Sequence, residues 1–238
     1  EAAASQYWRD FIASHLPHFK LSAIDQVPNY VLECWDTIVD TSVYVEKKLG
    51  QVLRELQPDL VCLDNCIMFP AIKHAGCPWV RIVSCSENEI PDADIPPHLS
   101  GCAEHDKVGF AAYQARFLEV IKPVHERFNA FLESVGETPY PLGQFLEPSP
   151  SMNLLLYPKP LQFDRRQPLD PARFQYLEGC VREDEPCTLP TFKKNADKPL
   201  IYIGSGSMNE ADVELNKRQI AVLANLPYRA LMSVGNMV

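Results

Sequence analysis

The chain is short of positive charge, long apolar runs and paired metal-ligand motifs, and each shortage narrows its chemistry. Its 238 residues carry 22 Lys and Arg against 31 Asp and Glu, a net charge of −9. That balance repels phosphate backbones and anionic lipids, so generic binding to nucleic acid or to an anionic membrane is disfavoured. No uninterrupted apolar run approaches the ~20 residues of a membrane span, so no membrane segment is expected. The opening Glu1-Ala-Ala-Ala-Ser-Gln has neither an initiating Met nor a signal-peptide pattern and reads as an internal start. With 46% apolar and 22% charged residues, the composition is otherwise that of a soluble globular protein.

The eight cysteines, at 34, 62, 66, 77, 85, 102, 180 and 187, include no C-x-x-C pair. Cys62-x-x-x-Cys66 has no His at ligand spacing nearby, so no metal site is expected. No asparagine begins an N-x-[ST] sequon. Reduced thiols in a cytoplasmic protein are the expectation. G-x-S-x-G and H-E-x-x-H are both missing, which removes the main support for a serine hydrolase or a zinc protease.

What is present is an alternation of helical and strand patterns. Tyr7, Trp8, Phe11, Ile12 and Leu16 have helical spacing after Ser5, which is read as an N-cap. A long helix is expected from about Tyr30 to Leu56, ended by Pro58-Asp59. Leu60–Leu63 reads as a buried strand, Ile67–His74 as a short helix closed by Gly76, and Trp79–Val83 as a second strand. Strand, helix, strand with short links is a βαβ unit, so the fold class is α/β with a parallel sheet. Ser84–Gly101 is an irregular stretch long enough to be functional or mobile. Helices are expected at about Val108–Ile121 and Val124–Val135, divided at Pro123, and strands at Met152–Tyr157 and Phe174–Leu177. Phe110, Tyr113, Phe117, Phe128 and Phe131 lie on the apolar faces of those helices, where core is the commoner role than a ligand box.

The most informative stretch is Lys198-Pro-Leu-Ile-Tyr-Ile-Gly-Ser-Gly-Ser-Met-Asn-Glu210. Leu200–Ile203 has the pattern of a strand buried on both faces, and a helical pattern opens near Asn209. A small-residue turn between strand and helix N-terminus offers free backbone N–H groups and a positive dipole end, which suits a diphosphate. Ser207 and Glu210 also have capping-box spacing, which by itself explains both without a ligand. The paired glycines of Gly-Ser-Gly-Ser exceed what a cap needs, so the phosphate reading leads. Asn209 stands where G-x-G-x-x-G requires its third glycine, and no acid ends the strand at Arg229–Ser233; NAD is disfavoured.

Three of these strands end in small polar residues: Leu63 before Asp64-Asn65, Val83 before Ser84, and Ile203 before the Gly-Ser turn. Open α/β sheets bind ligands outside the carboxyl ends of their strands. Asp64 therefore stands where chemistry would be done, although N-capping the next helix is an equal claim on it. Of the six histidines, at 15, 18, 74, 98, 105 and 125, only His98 and His105 lie where they could approach that crest, and surface or loop positions without chemistry are the default for all.

Pro58-Asp-Leu-Val-Cys-Leu-Asp64, Tyr157-Pro-Lys-Pro160, Phe174-Gln-Tyr-Leu-Glu-Gly179 and Pro199-Leu-Ile-Tyr-Ile-Gly-Ser-Gly-Ser-Met208 together resemble UDP-glycosyltransferases, the enzymes that include animal UDP-glucuronosyltransferases and bacterial macrolide glycosyltransferases. The resemblance spans nearly the whole chain in order and spacing. It implies the GT-B architecture of two Rossmann-like domains: residues 1–178 as the acceptor domain without its first strand, 179–198 as a linker, and 199–238 as the start of the nucleotide-sugar domain. It implies that Asp64 orients a catalytic histidine, that Gly204, Ser205, Gly206 and Ser207 contact the donor diphosphate, and that Asn65, Ser84, Asn88 and Phe110 line the acceptor pocket. One departure is Gly204, where the family often has serine. The family's catalytic histidine lies upstream of the helix near Ser5, and no histidine here matches it.

The implied activity is inverting transfer of a hexosyl group from a UDP-sugar to a hydroxyl of a small lipophilic acceptor. Conjugation and detoxification are the implied role, with the UDP-sugar a co-substrate and no further cofactor or metal. The alternative is a non-catalytic carrier of small lipophilic molecules, which the aromatic helices suit and the Gly-Ser turn does not.

Overall fold

A computed structural model describes residues 2–178, 186, 188–204, 206 and 212–233. They form two units, Leu21–Arg182 and a second made of Glu1–Lys20 with Glu183–Val238. The division falls within the 179–198 stretch, and the first helix groups with the C-terminal piece.

Helix α1 (Ala2–His15) belongs to the other unit; in the Leu21–Arg182 unit, Ser22 Oγ accepts from Asp25 N at 3.4 Å and starts the short helix α2 (Ala23–Gln26). A π-helical turn at Val27–Val31, which contains Pro28, leads into α3 (Leu32–Leu56). The proline has no N–H for an ordinary helical bond, and the wider turn accommodates that loss. Trp35, Ile38, Val39, Leu49 and Leu53 form the apolar side of α3 and join the core. The helix stops at Gln57, which takes a left-handed φ of 46°, and Pro58 follows.

Four strands then form one parallel sheet in the order β1 (Val61–Leu63), β2 (Trp79–Val83), β3 (Met152–Leu155) and β4 (Phe174–Tyr176). Between them run α4 (Pro70–Lys73) and α5 (Lys107–Ser134). Leu63 and Trp79 on the sheet, Val39 and Leu53 on α3, and Ile121, Phe128 and Leu132 on α5 share one core. Trp35 stacks on Phe145 with ring centroids 3.9 Å apart, closing that core against the chain that precedes β3. The α/β class and parallel sheet agree with the sequence reading.

Several expectations need correction. The helix expected at Ile67–His74 covers only Pro70–Lys73. Ile67 and Met68 are fully buried in irregular chain, where Met68 N donates to Phe145 O at 2.8 Å in place of a helical bond. The expected break at Pro123 does not occur, and α5 runs through it. Ile121 and Val124, on either side, are buried in the same core, so packing holds both halves in line against the ~3 kcal/mol that an interior proline costs. Ser5 is not an N-cap, because α1 (Ala2–His15) already includes it; Ala2-Ala3-Ala4 has the highest helical propensity and extends the helix upstream.

The second unit holds α1 and a parallel pair, β5 (Leu200–Gly204) and β6 (Arg229–Ser233), joined through α6 (Val213–Leu223). Asp212 caps α6, its carboxylate accepting from Leu215 N at 2.9 Å. The expected double burial of Leu200–Ile203 is not realised: Tyr202 is 65% exposed and its neighbours are half-buried. A pair of strands has too few neighbours to cover both faces. The helix start expected near Asn209 and the Ser207–Glu210 box lie outside the described residues. Among the described residues, no helix is long and apolar enough to cross a membrane.

Candidate functional site

Parallel pairing of β1 with β2, Leu63 opposite Arg81, brings two strand ends to one edge of the sheet. Asp64 follows β1 and Ser84 follows β2, both exposed. Ser84 Oγ donates to Asp64 Oδ1 at 2.6 Å, the short distance of an O–H bond to a charged carboxylate. Two residues singled out separately in the sequence thus meet. Asp64 is not the side-chain cap of the next helix: Asn65 organises that turn, its Oδ1 accepting from Cys66 N at 2.8 Å and Ile67 N at 3.3 Å. The Asn65 carbonyl is thereby committed to its own backbone.

Asn88 sits on a 3-10 turn at Glu87–Glu89, where its Oδ1 accepts from His98 Nδ1 at 3.0 Å. Burial lowers the His98 pKa, Arg81 adds to that, and Glu89 opposes it, so the ring is neutral at neutral pH. Phe110 is buried in the first turns of α5, with Lys107 Nζ 4.6 Å from its ring centre. Its outward face is a cation–π contact, and its remaining surface is core.

Sequence reasoning missed the polar layer behind this edge. Arg81 points from the middle of β2 with its side chain 4% exposed, and its Nη2 lies 3.3 Å from Glu89 Oε2. Glu87 is more deeply placed: Arg165 Nη1 reaches its Oε1 at 2.8 Å, and Tyr176 OH and Phe163 N donate to its Oε2 at 3.0 and 3.3 Å. A charged residue interrupting Trp79-Val-Arg-Ile-Val83 was the available signal for Arg81. Nothing local marked Arg165 as the counterpart of Glu87.

Ser84–Gly101 is irregular as expected, and these contacts anchor it. Arg165 Nη2 also donates to Ile90 O at 2.5 Å, and Arg166 forks onto both Asp94 oxygens at 3.0 and 2.9 Å. Asp92 accepts from the backbone N–H groups of Asp94, Arg166 and Gln167, which holds its carboxyl down to about 2. The chain after β2 is therefore clasped to residues 163–167.

Two thiols flank Asp64 and Ser84. Burial pushes Cys66 up to about 11, and burial together with the negative charges of Glu89 and Asp64 raises Cys85. Both stay protonated at neutral pH and are poor nucleophiles. Among the described residues, no group of three or more His, Cys, Asp or Glu is disposed to hold a metal ion. A cavity of about 570 Å³ lies at β4, with Phe163, Arg165, Leu169, Phe174 and Tyr176 in its wall.

The histidines are not all surface groups. His15 and His125 are buried, and His125 Nε2 donates to Gln144 O at 3.0 Å. His74 Nε2 pairs with Glu137 Oε1 at 2.8 Å, at the C-terminal end of α4. In the second unit, Gly204 ends β5 in an exposed position. Gly206 takes a φ of 71°, with open space where a Cβ would stand. Ser205 and Ser207 lie outside the described residues.

No protein-family model and no curated protein matches the chain. Among solved structures, the crystal structure of the glycotransferase of kitacinnamycin matches with a TM-score of 0.62 and 18% sequence identity. The match covers 87% of this chain and 50% of that one, so the chain spans about half the length of the glycotransferase. The likeness is one of fold and agrees with the Rossmann-like, GT-B type α/β architecture expected from the sequence.

Proposed function

We propose that this chain is part of an inverting UDP-glycosyltransferase that moves a hexosyl group from a UDP-sugar to a hydroxyl of a small lipophilic acceptor. The observation that carries the reading is the Asp64 carboxylate, held by Ser84 at the carboxyl edge of a sheet whose fold matches a glycotransferase. The motif order that resembles UDP-glycosyltransferases supports the finer assignment. In this scheme the Leu21–Arg182 unit receives the acceptor, and the turn after β5 receives the donor diphosphate.

The chemistry needs a base for the acceptor hydroxyl. A histidine from outside this chain takes the proton, and Asp64 stabilises the resulting imidazolium. The acceptor oxygen bonds to the anomeric carbon as the bond from that carbon to the diphosphate oxygen breaks. UDP leaves with the electron pair, its charge met by backbone N–H groups of the Gly204–Ser207 turn. The scheme uses no metal. Conjugation of small lipophilic compounds is the corresponding role.

The test is Asp64→Asn in the full-length protein, assayed for UDP release with several UDP-sugars. Turnover is expected to fall by at least ~100-fold, in the range of a lost acid–base partner, with UDP affinity nearly unchanged. Unchanged turnover would remove Asp64 from the chemistry. Binding of lipophilic compounds without UDP release would favour the carrier alternative.

A further inference from the structure

We propose that Ser84 is a positioning residue for Asp64 and does not contact the acceptor through its hydroxyl proton. The inference rests on the glycosyl-transfer reading and revises one of its residues. Ser84 has a single O–H, and it donates to Asp64 Oδ1, the two oxygens 2.6 Å apart. Among the described residues no other side chain donates to the Asp64 carboxylate, so Oδ1 is taken and Oδ2 is the oxygen left for a base. An aspartate with one free oxygen at an exposed strand end has a broad, two-fold torsion. A donor on the neighbouring strand removes that freedom and aims the second oxygen.

The platform under Ser84 is rigid. Leu156 N donates to Val83 O at 3.0 Å, which ties the residue before Ser84 to β3. On the other side Ser86 N donates to Glu89 Oε1 at 3.2 Å, and Glu89 is paired with the buried Arg81. Ser84 therefore stands between a sheet pairing and a buried ion pair, and its hydroxyl can swing only about its own side chain. Asn65, the next residue, has its Oδ1 engaged by Cys66 N and Ile67 N, and its Nδ2 does not donate to Asp64.

The experiment uses the full-length protein with Asp64→Asn, Ser84→Ala, Ser84→Thr and the double variant. Ser84→Ala is expected to lower kcat by about tenfold, the weight of one net hydrogen bond, with the acceptor KM within about twofold. Ser84→Thr, which keeps the hydroxyl, restores kcat. In the Asp64→Asn background Ser84→Ala has no further effect, because both act through one group. A raised acceptor KM with kcat unchanged, or effects that multiply in the double variant, would overturn the proposal and return Ser84 to the acceptor pocket. A second readout needs no turnover: the Asp64 carboxyl 13C resonance at pH 7 should move in Ser84→Ala and return in Ser84→Thr. If Asp64→Asn leaves turnover intact while that resonance moves, the catalytic reading fails and the Ser84–Asp64 coupling stands. A resonance that ignores Ser84→Ala sinks the positioning role alone.

Discussion

Arg165 and Glu87, 78 residues apart in sequence, meet at 2.8 Å with side chains only 5% and 1% exposed. A pair so deep is expensive to break from one side, because the survivor is left as an uncompensated buried charge. Arg165→Met should therefore cost about 3–5 kcal/mol of unfolding free energy, read from urea denaturation. Adding Glu87→Gln removes the stranded charge and should restore part of that loss. A single variant within about 1 kcal/mol of wild type would mean the pair is solvated in solution.

Acid should loosen the clasp between Asp92 and residues 166–167. Three backbone N–H groups hold the Asp92 carboxyl at about 2, below its usual 3.8. A depressed carboxyl contributes stability in full above its unfolded pKa and loses it as pH falls through the folded one. The window is thus from about pH 4 down to about 2. Asp94, lowered by Arg166, adds in the same direction. Urea midpoints measured across that range should fall more steeply for wild type than for Asp92→Asn; parallel curves would exclude the linkage.

Asn153 is fully buried in β3, its Oδ1 accepting from Ser149 N at 2.8 Å and its Nδ2 donating to Ser149 O at 3.0 Å. Asn153→Leu leaves the Ser149 N–H without its partner, and a buried unpaired group costs about 1–3 kcal/mol. Loss of Tm with an intact far-UV spectrum is the expected outcome. A neutral substitution would show that water replaces the side chain.

Gly136 and Gly143 both take left-handed φ values, of 87° and 86°, yet they should respond differently to alanine. At Gly136 a Cβ meets nothing within 4 Å, so only the backbone cost of ~1–2 kcal/mol applies. At Gly143 the Cβ would stand 2.5 Å from Leu118 Cδ2, and the Leu118 side chain must shift as well. Gly143→Ala should thus be the more destabilising of the two in side-by-side melts, and equal losses would contradict the packing.

Much of the architecture was legible from local pattern. The apolar side of α3, the ends of β1 and β2 and the parallel βαβ order depend on periodicity and turn residues within a few positions of each other. Asp64 and Ser84 were recognisable as strand-end residues for the same reason. Pro123 shows the limit of that approach. The chemistry of the proline alone predicts a break, whereas the burial of Ile121 and Val124 in one core carries the helix through. The 84–101 stretch shows it again: its irregular course is legible in its prolines and polar residues, whereas the ion pairs that anchor it come from residues 165 and 166.

The sequence by itself determined that an α/β unit forms, that small polar residues sit at the carboxyl ends of its strands, and that acidic charge prevails. These follow from side-chain volume, backbone preference and counting, none of which needs a distant partner. Tertiary structure alone decided that Ser84 donates a hydrogen bond to Asp64, that Arg165 pairs with Glu87, and that Asn65 Oδ1 serves its own turn. Each depends on which strand lies beside which and on how deep a group ends up, and burial is a property of the assembled layers. A charge such as Arg81 looks like an interruption in the chain and becomes a buried partner only when sheet, helices and the following segment close over it.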